Sequence, residues 1–404
     1  MERISVTRRP DWKKKCEEIG FTFHTIDTEV PVDASKGEAG GTELVPLPYW
    51  DEDHAYKFTS LEIDTIEEAS QTLYRLCLAA VQHVIDNNLQ GKLGIPPQFH
   101  DVVKRSWENQ DLDMYGRFDL AFDAQGVPKM LEFNADTPTS LYEAGAVQWF
   151  WLEDHMRANN ISLDQFNSIQ EKLECVLKDI GSKYMGGASQ KMYFACVANN
   201  TEDRVTADYL QDIAQQVGIN TAHIDMEDIG WNGEVFTDLD EQPITTIFKL
   251  YPWEWMIADE FGANMIKAPW DVVEPAWKLI LSNKGILPIL WELFPNHPNL
   301  LPTYWDSSKL GGDYVEKPMF SREGADVVIV KNGVVQNTVL NRGYGREGHI
   351  YQAYLPLQKF DGMTPILGSW IVGGKSCGMG IREDVNEVTG NTSRFLPHFF
   401  TPEA

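Results

Sequence analysis

Across residues 64–86, Leu73, Leu76, Cys77, Ala80 and Val84 share one helical stripe, widened by Leu78 and Val81 and preceded by an acidic first turn. That spacing predicts a helix with one core-facing side. Two more helical stretches are expected over 141–157 and 163–180. From Lys191 the text changes: KMYFACVA reads as a buried strand, NNTEDRVTADYLQDIAQQVG as a loop and capped helix ending at Gly218, and INTAHID as a second strand. This is a β-α-β unit, which builds mostly parallel sheets. After about Glu274 the pattern becomes short apolar strands with glycine turns, ending in SWIVGGKSCGMGIR, an expected hairpin. No internal repeat or low-complexity linker interrupts the chain.

At about 150 residues per domain, 404 residues allow two or three domains, and 43% apolar content with 11% aromatics supplies large cores. We expect an N-terminal region over 1–160, a β-α-β region over 161–273 and a third region over 274–404. The net charge of −26 disfavours phosphate backbones and anionic lipid heads, so nucleic acid and membrane are not expected partners. No apolar run approaches the roughly 18 residues of a membrane helix. Five scattered cysteines, Cys16, Cys77, Cys175, Cys196 and Cys377, signal neither a disulfide framework nor a zinc knuckle. A cytoplasmic protein is expected.

The segment YGRFDLAFDAQGVPKMLEFNADTPTS, residues 115–140, carries the most chemistry. Two alternating runs flank Asp123-Ala124-Gln125-Gly126, a hairpin signal. With a two-residue turn at Gln125-Gly126, Phe118, Leu120, Leu131 and Phe133 share one face, while Arg117, Asp119, Glu132 and Asn134 share the other. Asp119 then lies opposite Glu132, and Arg117 opposite Asn134. Like charges directly opposite are destabilising, so the pair calls for a cation, and Mg²⁺ suits two carboxylates and an Asn carbonyl. A solvent-facing polar strand face neutralised by Arg117 fits the same pattern. The run ADTPTS beyond the acids, with Thr137 and Thr139, offers hydroxyls to an oxygen-rich ligand.

Two lysines stand out. Lys284 lies in LSNKGILPIL, expected to lead into an apolar strand, and Lys317 in YVEKPMFSREGADVVIV, close to Arg322 and Gly324. The second segment reads as strand, glycine-bearing loop, strand, a form that lets backbone N–H groups approach phosphate oxygens. A solvated surface lysine is the plainer alternative for each.

Together, Arg117-Phe118-Asp119, the Glu132-Phe133-Asn134-Ala135-Asp136 run, NKGILPILW, EKP at Lys317, IYQ ending at Gln352, and VGG followed by Arg382 resemble the synthetase domain of glutathionylspermidine synthase, an ATP-grasp ligase. The resemblance runs from about His24 past Arg382. It implies an α/β (α+β) ATP-grasp fold with a preceding pre-ATP-grasp-like α/β region, and an acid–amine ligase forming an amide through an acyl phosphate. It implies that Asp119, Glu132 and Asn134 hold Mg²⁺, two ions in all, and that Arg117 stabilises phosphoryl transfer with Arg322 and Arg382. Lys284 and Lys317 would bind the ATP phosphates, Gly324 would sit in the covering loop, Gln352 near the adenine, and Phe118 and Glu387 against the nucleotide. The lysines follow the acidic ligands here, the permuted order of this family. Phosphoryl transfer asks mainly for positioning and charge neutralisation, which such a set supplies.

The expected partners are a small, peptide-like acid, for which Thr137 and Thr139 are candidate contacts, and an amine, a polyamine among the candidates. Glu202-Asp203 is the counterpart of the family's amine-receiving acids, although acids in a first helical turn also simply favour the macrodipole. The family's small hydroxyl residue after the lysine of a WKTW-like block is replaced in FKLYPWEW by Leu250, which argues against glutathione as the acid. The stretch ahead of Arg117 carries no cysteine and histidine block suited to the amidase of bifunctional members, so a stand-alone synthetase domain is expected.

Two motif matches are discounted. The sequence GYGREG at 343–348 fits GxGxxG, but HIYQAYLPL after it reads as a strand. GGKS at 373–376 lacks the first glycine of a Walker A loop, Ser369 standing there. The nine histidines show no metal spacing. A nucleotide-binding regulatory or assembly protein without ligase activity is the alternative, motivated by Leu250. A carbohydrate hydrolase rests only on thirteen Trp and many carboxylates.

Overall fold

The long helix begins at Ser60, four residues before the apolar stripe suggests, because Thr59 and Glu62 form a capping box: Thr59 Oγ1 accepts from the Glu62 amide at 3.2 Å and Glu62 Oε2 accepts from the Thr59 amide at 2.9 Å. It runs Ser60–Asp86 and buries Leu73, Cys77, Ala80, Val81 and Val84, with Leu76 and Leu78 at its half-buried margin. The computed structural model describes residues 1–31, 42–187, 189–338, 343–390 and 393–401. The second expected helix is a π-turn, Glu143–Val147, continued by Gln148–Asn159. The third starts at Ile169 rather than near 163. Its missing first turns are extended: Asp164 and Phe400 exchange backbone hydrogen bonds at 2.8 and 2.9 Å, and the Met379 amide donates to the Phe166 carbonyl at 3.1 Å.

The β-α-β unit forms as the pattern predicts. Strands Met192–Cys196 and Thr221–Asp225 flank helix Thr201–Gln216, which is capped by Asn200 and closed before Gly218 at φ +90°. With Thr246–Leu250 and Asp271–Val273 they make a four-stranded parallel sheet, ordered 271–273, 246–250, 192–196, 221–225.

Two five-stranded antiparallel sheets frame the remaining chemistry. The first is ordered Arg394–Leu396, Lys375–Asp384, Thr364–Val372, Tyr115–Phe122, Pro128–Asn134. Its C-terminal hairpin turns at Gly373-Gly374, both with positive φ (54° and 75°), the pair that a two-residue turn matching strand twist requires. GGKS is thus a hairpin corner. The second sheet is ordered Thr303–Tyr304, His349–Ala353, Tyr314–Pro318, Val328–Lys331, Val334–Thr338. The GYGREG run leads into strand His349–Ala353, as the pattern after it implies.

Two sequence expectations are corrected. The apolar run after Lys284 is a helix, Ile286–Leu293, packed against Ser60–Asp86 and the strand Thr303–Tyr304. A short apolar run has no periodicity to separate the two states, and Pro288 falls in the first helical turn, where its missing N–H is not needed. The turn of the acidic hairpin is also longer than two residues. Phe122 pairs with Pro128, and Asp123 Oδ1 accepts from the amides of Gln125 and Val127, both at 2.9 Å, around Gly126 at φ +78°. Among the described residues all five cysteines are free thiols, and no helix is long and apolar enough to cross a membrane.

Candidate functional site

The acidic hairpin, Tyr115–Phe122 with Pro128–Asn134, keeps the expected pairs near its open end: Asp119 opposite Glu132, Phe118 opposite Phe133, Arg117 opposite Asn134. It reaches that register by a different route. The longer turn shifts the pairing by one, and a bulge after Asp119 restores it, so Leu120 faces Met130 and Leu131 is the extra residue. The bulge sends Leu131 and Glu132 into one cleft between the two antiparallel sheets, and the Leu131 carbonyl accepts a hydrogen bond there.

Cations separate the facing carboxylates. Asp119 accepts from Arg117 Nε at 2.7 Å and lies 3.5 Å from Arg382 Nη2, while Glu132 Oε2 lies 3.2 Å from Lys284 Nζ. Arg117 and Asp119 are both buried. Arg117 fits beside the neighbouring strand because Gly368 stands there: a Cβ at that position would meet Arg117 Cδ at 2.8 Å. Arg117 Nη1 also donates to the Thr139 carbonyl at 2.5 Å, so Thr139 contributes its backbone rather than its exposed side chain.

Lys317, on strand Tyr314–Pro318, points into the same cleft. Its Nζ donates to Gln352 Oε1 at 2.7 Å and to the Leu131 carbonyl at 2.9 Å. Burial, followed by the influence of Glu132 in the opposite direction and of nearby Lys284, leaves its pKa pushed down to about 8. Burial also opposes ionisation of Glu132, but Lys284, Lys317 and Arg117 outweigh it and hold that carboxyl near 2. The cleft therefore concentrates two lysines that repel one another, a condition that a polyanion would relieve.

Beyond the lysines the cleft becomes apolar, walled by Val315, Ile329, Leu355 and Ile366. Gly324 sits at φ +67°, in the loop after Lys317, and a Cβ on it would meet Val388 Cγ1 at 2.5 Å and the Thr389 carbonyl at 2.7 Å. Glu387 faces the cleft, accepting from Lys331 Nζ at 2.9 Å and Tyr354 OH at 2.9 Å. Burial works against its ionisation, but these two partners leave its pKa lowered.

In a small pocket that Glu132, Asn134 and Lys284 also line, Arg322 donates to Thr137 Oγ1 at 2.8 Å and Glu254 Oε1 at 2.5 Å. Glu202 and Asp203, in the first turn of helix Thr201–Gln216, are half-buried and approach this region. Burial, then Glu143 and Asp203, push Glu202 up to about 8, with Arg382 acting the other way; burial and Glu323 push Asp203 up to about 6. A helix-dipole role alone would not bring them among such partners. Glu143 is fully buried, accepts from Tyr49 OH at 2.6 Å, and has a pKa raised by that burial.

Two buried polar atoms without a hydrogen-bond partner among the described residues, Asn134 Nδ2 and Arg322 Nε, belong to residues that line the small pocket with Glu132 and Lys284, and Glu254 Oε2, on Arg322's own partner, is a third. Such atoms are costly unless something pairs with them, so their clustering points to a polar ligand. The donor set fits a hard cation by its chemistry, because Asp119 and Glu132 supply facing carboxylate oxygens and Asn134 an amide carbonyl, the oxygen ligands that Mg²⁺ takes.

Phe118 is corrected as a nucleotide contact, because its ring is fully buried and stacks on Phe133 at 4.0 Å in the core. Leu250 is likewise buried in the core. Sequence reasoning missed the ion pair of Lys249 with Asp136, both fully buried, although a lysine inside the apolar run TIFKL was a readable signal. It also missed Lys278, which bonds Glu274 at 2.9 Å and Asp113 at 3.2 Å and donates to the carbonyls of Tyr115 and Ala135. These two lysines brace the open end of the hairpin, where Tyr115 enters it and Ala135 and Asp136 leave it. Glu254, Glu143 and Tyr354 had no sequence signal of their own.

The family described as "Glutathionylspermidine synthase preATP-grasp" matches residues 3–401. The chain is 39% identical over 413 residues to a Haemophilus influenzae protein provisionally named an acid–amine ligase, covering 100% of both. It is 29% identical to trypanothione synthetase of Crithidia fasciculata, covering 87% of this chain and 56% of that one. It is 26% identical to the bifunctional glutathionylspermidine synthetase/amidase of Escherichia coli, covering 93% and 63%. The chain thus spans under two thirds of the last two. In fold, a glutathione synthetase-like effector of Globodera pallida superposes with a TM-score of 0.59 at 11% identity, over 96% of each chain.

Proposed function

The chain belongs to the glutathionylspermidine synthase family, and from that premise we propose that it is an ATP- and Mg²⁺-dependent acid–amine ligase with an ATP-grasp nucleotide site. The carrying observation is the meeting of Lys284 and Lys317 with Asp119 and Glu132 in one cleft, beside Arg117 and Arg382. Residues 274–404 supply most of the nucleotide site, 161–273 the pre-ATP-grasp-like unit, and 1–160 the acidic hairpin.

Each group has a physical task. Lys284 and Lys317 receive the phosphates, and their mutual repulsion falls as the anion enters. Gln352, Glu387 and the apolar wall take the base and sugar. Asp119, Glu132 and Asn134 would hold Mg²⁺, which supplies charge neutralisation on the triphosphate when bound. Arg117 and Arg382, released from Asp119, face the phosphoryl group as it passes to a substrate carboxylate oxygen with ADP departing. The amine nitrogen then attacks the acyl carbon and phosphate leaves.

Arg322 and Thr137 border the acid substrate, and Glu202 and Asp203 receive the ammonium. With its pKa pushed up to about 8, Glu202 is matched to take the proton that the ammonium must lose before attack. The test is a coupled ADP-release screen of small peptides, glutathione included, against polyamines and amino acids. ADP formation that requires both an acid and an amine, with a product whose mass is their sum less water, is the expected result. ADP release indifferent to one of them, or none with any pair, would overturn the proposal.

A further inference from the structure

Cys196 and Asp225 are the last residues of two neighbouring parallel strands, Met192–Cys196 and Thr221–Asp225, and stand opposite each other in register. His223, two residues before Asp225, shares its face of the sheet, because side chains alternate along a strand. Strand register alone brings these three together from separate parts of the chain, so no spacing in the sequence announces them.

A sulfur, a ring nitrogen and a carboxylate oxygen of the three lie within 4.8 Å of one another, against about 3.5 Å between the ligands of a tetrahedral zinc ion. Thr221–Asp225 is the edge strand of its sheet, and His223 and Asp225 are half-buried on it. Rotation of these two side chains can close the gap, and solvent reaches the site from the edge. His223 Nε2 lies 2.9 Å from Asp225 Oδ1, while its Nδ1 is buried without a hydrogen-bond partner among the described residues. Cys196 is buried and is a free thiol. Burial, then Asp203, push that thiol up to about 12, with Arg204 opposing and Asp225 and Asp208 adding to the rise. A cation beside the sulfur would offset both burial and the neighbouring carboxylates. Sulfur, nitrogen and oxygen together are donors for a borderline cation such as zinc, whereas Mg²⁺ takes oxygen alone.

We propose that Cys196, His223 and Asp225 form a zinc site at the carboxyl edge of the parallel sheet, with water as the fourth ligand. Binding breaks the Cys196 S–H bond, the proton passing to solvent as the Zn–S bond forms. The ion ties together the ends of two strands, just ahead of the loop that leads to Glu202 and Asp203, and so stabilises this end of the sheet. The site stands independently of the ligase reading.

Co²⁺ is the probe, because a thiolate bound to it gives a near-ultraviolet charge-transfer band that free Co²⁺ lacks. Titration of the full chain, reduced and without nucleotide, should give a band that saturates at one equivalent, survives excess Mg²⁺ and is displaced by Zn²⁺. Cys175→Ser, which removes the exposed thiol, should leave the band intact, and Cys196→Ser should abolish it. His223→Gln, on the half-buried edge strand, should keep the fold by circular dichroism and weaken Co²⁺ binding about tenfold or more. No band in the wild type, a band retained in Cys196→Ser or lost in Cys175→Ser, or an affinity unchanged in His223→Gln would overturn the proposal.

Discussion

Lys317 Nζ donates to Gln352 Oε1 across a strand pair at 2.7 Å, a buried ammonium held by a neutral amide rather than a carboxylate. A neutral partner fixes the lysine's direction without cancelling its charge. That leaves the charge for a ligand.

Replacement of Lys317 by Ala should abolish measurable Mg-ATP binding in calorimetry, with the folded state retained in circular dichroism. The wild type should also show a proton signature. Its Lys317 pKa, pushed down to about 8 by burial, rises when a triphosphate arrives, so binding at pH 8.5 takes up protons. Calorimetry in two buffers of different ionisation enthalpy measures this, and the uptake should shrink toward pH 6.5, where the lysine is already charged.

The amine site should behave with the opposite sign. Glu202, pushed up to about 8 by burial and its acidic neighbours, is mostly protonated at neutral pH, and a bound ammonium favours its ionised form. Amine binding should therefore release protons near pH 7. Glu202→Gln should flatten the pH dependence of KM for the amine between pH 7 and 9 and lower kcat by about 10²-fold or more, the scale of a lost general base.

Asp119→Asn should suppress ADP release more than it weakens nucleotide binding, because it removes a ligand for the cation while Lys284 and Lys317 remain. It also leaves Arg117 short of a charged partner in a buried position, so a fall in Tm is expected alongside. Full activity in the variant would count against the metal assignment.

Gly324→Ala tests the covering loop. The new Cβ would contact Val388 and Thr389 at a φ of +67°, with about 1–2 kcal/mol of backbone strain. KM for ATP should rise several-fold, with a smaller change in KM for the amine.

The Asp136 and Lys249 pair separates support from chemistry. Each is fully buried, so Asp136→Asn or Lys249→Met alone should cost about 3–5 kcal/mol in urea unfolding, whereas the double replacement should recover part of that loss. A thermodynamic cycle measures the coupling.

Periodicity, capping residues and turn glycines were enough to locate the helix from Asp64 onward, the β-α-β unit and the acidic hairpin, because each depends on hydrogen bonds and faces set within a few residues, whereas the pairing of Asp119 with Glu132 was reached from a two-residue turn that the hairpin does not have. The motif residues Lys284, Lys317 and Gln352 were readable as well. Other features were decided only by packing between distant segments. The bulge at Leu131 forms in a strand whose Met130 amide is satisfied by the Asn299 carbonyl, and the run after Lys284 is helical because it packs on another helix. The setting of Glu202 and Asp203 was likewise illegible locally, since acids in a helix's first turn need no partner. Only the fold carries that turn toward Glu143 and Arg382, where burial and like charge raise Glu202's pKa and turn a helix-start residue into a candidate base.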